Sequence, residues 1–156
     1  MMKKILILAV TATSLISSCK KDDKKDSSTG TEAKIADKKW KLTAHSFTYG
    51  GTTTDGYAML PACQTDNFYV FAADKSVNSD EGATKCSSSD PQTKTGGTWE
   101  LRSGGKELFF SGAEAMYGIK EITLNIIEST SSTLKVKYTT TVGGPSIENV
   151  ATYTAM

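Results

Sequence analysis

Four side chains in this chain are reactive by type and few in number: Cys19, Cys63, Cys86 and the single histidine, His45. A thiol can be acylated, oxidised to a disulfide or bound to a metal, and an imidazole can carry a proton or a metal. Spacing narrows these choices. There is no Cys-x-x-Cys, and a lone histidine with well-separated cysteines is a poor zinc set. Neither a redox dithiol nor a metal site is therefore expected. Nothing near His45 in sequence supplies a nucleophile, and no Gly-x-Ser-x-Gly elbow is present, so no catalytic residues and no cofactor are expected. Asp74, Asn78, Asp80 and Glu81 with Gly82 miss the spacing of a calcium loop and read as a polar hairpin end.

The surroundings of Cys19 point to lipid. Residues 1–4 are short and positive, and residues 5–16 form an apolar run. A bilayer-spanning helix needs about 20 residues, so residues 1–18 read as a secretory signal peptide. The run closes in Leu15-Ile16-Ser17-Ser18-Cys19, which resembles a bacterial lipobox. That resemblance implies Cys19 as the first mature residue, bearing a diacylglyceryl thioether and an N-acyl (palmitate-type) chain. Several acyl chains at ~0.8 kcal/mol per buried CH₂ hold a protein stably on a membrane. Residues 19–34 lack a run of apolar side chains and read as a flexible, lipidated tether. Within them Lys21-Asp22-Asp23 resembles the export signal that sends lipoproteins of Bacteroidota to the outer face of the outer membrane. A solvated charge run without an address is the competing reading.

With Cys19 assigned to lipid, Cys63 and Cys86 remain as a pair in an oxidising compartment, and a structural disulfide is expected between them. The folded part, residues 35–156, is long enough for one domain. Removing Lys3 and Lys4 with the leader takes 18 basic residues to 16 against 17 acidic ones. Such a balance gives no positive field for nucleic acid.

The elements that must hold these residues are strands. KWKLTAHSFTY, residues 39–49, alternates, with Trp40, Leu42 and Ala44 on one face and Lys41, Thr43 and His45 on the other. Residues 67–73 (NFYVFAA) are apolar on both faces. Further strands are expected at 77–86, 97–102, 107–111, 119–127, 134–141 and 146–154, and a short one at 57–60. Turns are expected at 50–56, 74–76 and Gly104-Gly105, with a short helical turn within 113–118. Eight or nine short strands with one disulfide predict an all-β fold, either a sandwich or a small antiparallel up-and-down β-barrel, and the consecutive hairpins favour the barrel.

Trp40 in the first strand, Cys63-Gln64-Thr65-Asp66-Asn67 before an aromatic strand, Cys86, Gly97-Thr98-Trp99-Glu100-Leu101 and Ile122-Thr123-Leu124 together form a pattern. It is similar to the lipocalin-like domain of small Bacteroidota lipoproteins, from about residue 38 to the end. The resemblance implies a disulfide-stapled barrel with room for an apolar cavity, and it brings no catalytic residues and no agreed ligand. One departure is that Trp40 follows Asp37-Lys38-Lys39, whereas the Gly-x-Trp that opens the first strand of true lipocalins occurs here at Gly97.

The barrel interior is the functional surface this pattern offers. Trp40, Leu42, Phe68, Val70, Trp99, Leu101, Leu124 and Tyr138 are expected to face it, with Tyr57 and Met59 at its mouth. Two functions follow. A cavity lined by these residues would bind a small apolar or amphipathic ligand in a non-catalytic, membrane-anchored lipoprotein. A filled interior would instead make the domain an accessory subunit that meets an envelope protein partner through its surface.

Overall fold

The computed structural model describes residues 27–141 and 144–156. The leader at 1–18, Cys19 and the Lys21-Asp22-Asp23 triplet lie outside the described residues.

Among the described residues there are nine strands: β1 (Lys39–Tyr49), β2 (Thr52–Asp55), β3 (Phe68–Phe71), β4 (Ser76–Asp80), β5 (Thr93–Arg102), β6 (Glu107–Ser111), β7 (Glu121–Ser129), β8 (Thr133–Thr141) and β9 (Ser146–Ala155). From β3 to β9 each strand pairs antiparallel with the next, and β9 returns to β1 from Trp40↔Ala155 to Thr48↔Glu148. The other edge of β1 is divided. Lys39–Lys41 pair with β3, and Ser46–Tyr49 pair with β2. Eight strands therefore close an up-and-down barrel, and β2 is an extra strand at one end, where the sequence suggested only a turn. Closure removes the free sheet edges that would otherwise invite aggregation.

Three helical pieces complete the fold: α1 (Ser27–Ile35), α2 (Ala62–Thr65) and α3 (Glu114–Tyr117). The stretch expected as a short strand at 57–60 is a 3₁₀ turn, Tyr57–Met59, because the Asp55 carboxylate accepts from the Tyr57 and Ala58 amides (3.0 and 3.1 Å). The strand expected at 77–86 ends at Asp80, and residues 81–92 are irregular. Helix α1 occupies part of the stretch expected as tether. Nine residues rich in Ser, Thr and Gly have little helical tendency of their own, so docking must hold them. Ile35 is fully buried, its carbonyl accepts from the Trp40 indole at 2.9 Å, and Glu32 pairs with Lys75 across the barrel end.

The closed end of the barrel is solid. Trp40, Phe71, Val77, Trp99, Leu108, Phe110, Leu124, Leu134 and Val136 are each buried to 1 % exposure or less. The Trp99 indole donates to the Ala72 carbonyl at 2.9 Å, so both tryptophans are buried with their polar handle satisfied.

Two β-bulges decide what faces inward above this plug. In β1 the register with β9 shifts between Leu42 and Ala44, so one extra residue reverses the alternation. Ala44 is exposed and His45 turns inward, the opposite of the uninterrupted pattern. In β5 the register with β4 shifts between its partners Ser76 and Asn78, at Gly96-Gly97. Gly97 takes φ +85°, and a Cβ there would lie 1.9 Å from the Ser111 carbonyl oxygen, so only glycine lets β5 pass this close to β6. The bulge lets Lys94 join the inner wall below Trp99 in the chain.

Candidate functional site

At the end of the barrel opposite α1 the packing opens into a cavity of about 410 Å³. Ligand sites commonly occupy about 300–1,000 Å³. Its floor and walls come from the barrel strands: Leu42 and His45 on β1, Tyr69 on β3, Lys94 on β5, Tyr138 on β8, and Ala151 and Tyr153 on β9. Tyr117 enters from α3. Because β1 pairs with β3 only through its first three residues, the wall beside His45 is not a strand. Residues 56–67 fill that gap and contribute Leu60, Gln64 and Asn67.

This irregular wall is braced from several directions. Cys63 and Cys86 form a disulfide with Cα atoms 5.1 Å apart, which ties residues 56–67 to the loop 81–92. The Asn67 amide donates to the carbonyls of Cys63 (3.0 Å) and Glu81 (2.9 Å). The Asp66 carboxylate accepts from the Thr84 hydroxyl and amide, both at 2.8 Å, and from the Ala83 amide at 3.1 Å. Those bonds, the Thr84 hydroxyl foremost, hold its pKa below the usual carboxylate value.

Four tyrosines dominate the interior. The rings of Tyr117 and Tyr138 meet edge-to-face at 5.5 Å, and those of Tyr69 and Tyr153 at 6.1 Å. The Tyr117 and Tyr153 hydroxyls lie 2.9 Å apart, joining the two pairs. Tyr117 also stacks on Phe110, which meets Phe71, which meets Trp99. One aromatic column thus runs along the barrel, hydrocarbon at the closed end and phenolic at the open end.

Burial raises the pKa of all four phenols, that of Tyr138 to about 12. A raised folded-state pKa favours the neutral phenol. The associated stability is complete below the unfolded value near 10 and is lost as pH rises through the folded values. In an alkaline titration the phenolate absorbance of these four tyrosines should therefore appear only with loss of the folded circular-dichroism signal. Ionisation of the four near pH 10 with the fold intact would contradict their burial.

The polar rim is built around His45. Its Nε2–H donates to the Asn149 side-chain oxygen at 3.2 Å, and the Asn149 nitrogen donates to the Thr140 hydroxyl (3.1 Å) and the Ile147 carbonyl (3.2 Å). Gly56 lies against the other ring nitrogen, where a Cβ would come within 2.6 Å, so a larger residue would displace the imidazole. On the opposite wall Lys94 faces two carboxylates, Asp90 at 3.2 Å and Glu81 at 3.4 Å.

Of the eight residues expected inside, six face inward: Trp40, Leu42, Trp99, Leu101, Leu124 and Tyr138. Only Leu42 and Tyr138 reach the cavity. Trp40, Trp99 and Leu124 belong to the solid plug, and Leu101 packs beside it. Phe68 and Val70 point outward, which corrects the expectation. Cross-strand partners share a face, and Trp40 pairs with Tyr69 while Lys39 and Lys41 pair with Val70 and Phe68. The Lys39 ammonium lies 4.6 Å from the Phe68 ring centre on the outer surface. Tyr57 and Met59 sit in the turn at the mouth, but Leu60 is the residue of this stretch that lines the cavity. Tyr69, Tyr117, Tyr153, Lys94 and Glu81 were missed. A strand apolar on both faces hides which face is internal, and the β5 bulge left no mark beyond a Gly-Gly pair.

None of the curated proteins compared matches the chain. Residues 37–136, 100 of the 156, match the family of lipocalin-like domains. With the closed eight-strand barrel and its disulfide, this places the chain in the lipocalin-like domain family.

Proposed function

We propose that this protein is a non-catalytic binding module that holds a small amphipathic molecule in the open end of its barrel. The observation that carries this reading is the tyrosine-lined cavity of about 410 Å³ above a solid plug. Leu42, Leu60, Ala151 and the tyrosine rings offer apolar contact, and His45, Gln64, Asn67, Glu81 and Lys94 offer polar contact at the rim. The protein is anchored through lipid on Cys19 to the outer membrane of a bacterial envelope, in the manner of Bacteroidota lipoproteins, and faces outward. The leader, Cys19 and the Lys21-Asp22-Asp23 run support this placement; in the fold, α1 docks at the closed end and the mouth opens at the other.

Native mass spectrometry of the protein purified from its own host's membranes tests this. The expected spectrum shows the acyl mass on Cys19, absent from Cys19→Ala, and a further mass that denaturation releases. A bare polypeptide mass with the barrel intact would overturn the ligand reading.

A second reading, an interaction subunit, is favoured by one observation. Tyr49 at the end of β1 (54 % exposed), Met59 in the 3₁₀ turn (69 %) and Ile119 before β7 (36 %) all lie at the open end, where an envelope protein partner could cover them.

A further inference from the structure

The charges in the cavity wall do not cancel. Glu81 and Asp90 supply two carboxylates, and Lys94 supplies the one ammonium. Asp90 and Lys94 meet near the rim at 3.2 Å, with side chains 40 % and 35 % exposed. Glu81 is more deeply placed, 14 % exposed, yet its contact with Lys94 is the longer, 3.4 Å. Lys94 can neutralise one carboxylate, and the better bond goes to the solvated one. A negative charge is left over at Glu81, in surroundings where screening by water is weakest.

The aromatic lining has the same sign. A tyrosine ring presents a negative face, and Tyr69, Tyr117, Tyr138 and Tyr153 all border the cavity. Glu81 acts on Tyr69 through its charge, which raises that phenol further after burial has done most of the work. The two cationic or imidazole groups that would greet an anion are already engaged. Lys94 is held between two carboxylates, and His45 Nε2 is spent on Asn149.

We infer that the cavity selects an organic ammonium, with its apolar body against Leu42, Leu60 and the tyrosine rings and its cationic group against Glu81. This rests on the cavity being a ligand site and adds the sign of the ligand's charge. An anionic ligand would meet a carboxylate that has only a share of Lys94, and an uncharged one would bury Glu81 with that shared 3.4 Å contact as its sole compensation among the described residues.

Three probes with the same ring separate charge from shape: benzylamine as its cation, benzyl alcohol and benzoate, titrated into the full chain by NMR. Benzylammonium should bind roughly five- to tenfold more tightly than benzyl alcohol, with benzoate weakest. Glu81→Gln should erase the preference for the amine over the alcohol, and Lys94→Gln should widen it by removing the competing cation. The second variant decides the matter if the first fails to fold. Equal binding of amine and alcohol would overturn the charge inference and leave the cavity reading standing, as would tighter binding of benzoate. Failure of all three probes alongside a releasable mass in the native spectrum would also overturn the inference alone. Failure of all three with a bare native mass would remove both.

Discussion

Replacing Trp40 with alanine is expected to cost the barrel about 3–5 kcal/mol. That is a large part of the roughly 5–15 kcal/mol available to an ordinary domain. Trp40 is fully buried at the closed end, where it pairs with Tyr69 across the sheet and Ala155 on the other side. Truncation would leave a cavity the width of an indole in a plug of fully buried side chains. It would also leave the Ile35 carbonyl without its 2.9 Å donor and so undock α1. Trp40→Phe separates these effects, since it keeps most of the volume and loses only the hydrogen bond, at about 1–3 kcal/mol. Urea denaturation followed through Trp99 fluorescence measures both. If Trp40→Ala unfolds within about 1 kcal/mol of the parent, the docking of α1 on the plug is wrong.

Cys63→Ser should destabilise the oxidised protein by about 3 kcal/mol, from the loop-closure entropy of 23 residues' separation. With reductant present, parent and variant should melt together. Equal melting under oxidising conditions would mean that the bond contributes nothing to the fold. The loss should be spatially uneven. Cys63 and Cys86 lie on the irregular wall, between residues 56–67 and 81–92, and not in the barrel ladder. Amide exchange should therefore accelerate first in those two segments, while β6, β7 and β8 stay protected.

The strand count and the disulfide were legible because each depends on local signals. Gly104-Gly105 marks a hairpin whatever surrounds it, and two cysteines left over after Cys19 have one another as partners. Leu134, Val136 and Tyr138 alternate with lysines and threonine, and β8 buries those three. α1 was not legible, because nothing in SSTGTEAKI announces a helix until Ile35 finds the barrel end.

The candidate site was legible only in part, and the reason is register. A strand's alternation states that two faces differ, but not which is internal once both are apolar, as in FYVF. The pairing of Trp40 with Tyr69 settles that choice. A bulge reverses the alternation without changing composition, which is how His45 comes inside while Ala44 leaves.

By itself the amino-acid sequence determined that the chain makes an all-β fold of short hairpins, favouring a barrel over a sandwich, with Cys63 and Cys86 as the staple, since periodicity and turn residues act over a few neighbours and the cysteine count leaves one pair. Only the tertiary structure decided that one end is solid and the other open. It also decided that four tyrosines meet there, and that Glu81 must share Lys94 with Asp90. Those outcomes depend on how bulges and cross-strand pairs bring distant residues to one depth of the barrel, and no local pattern carries that information.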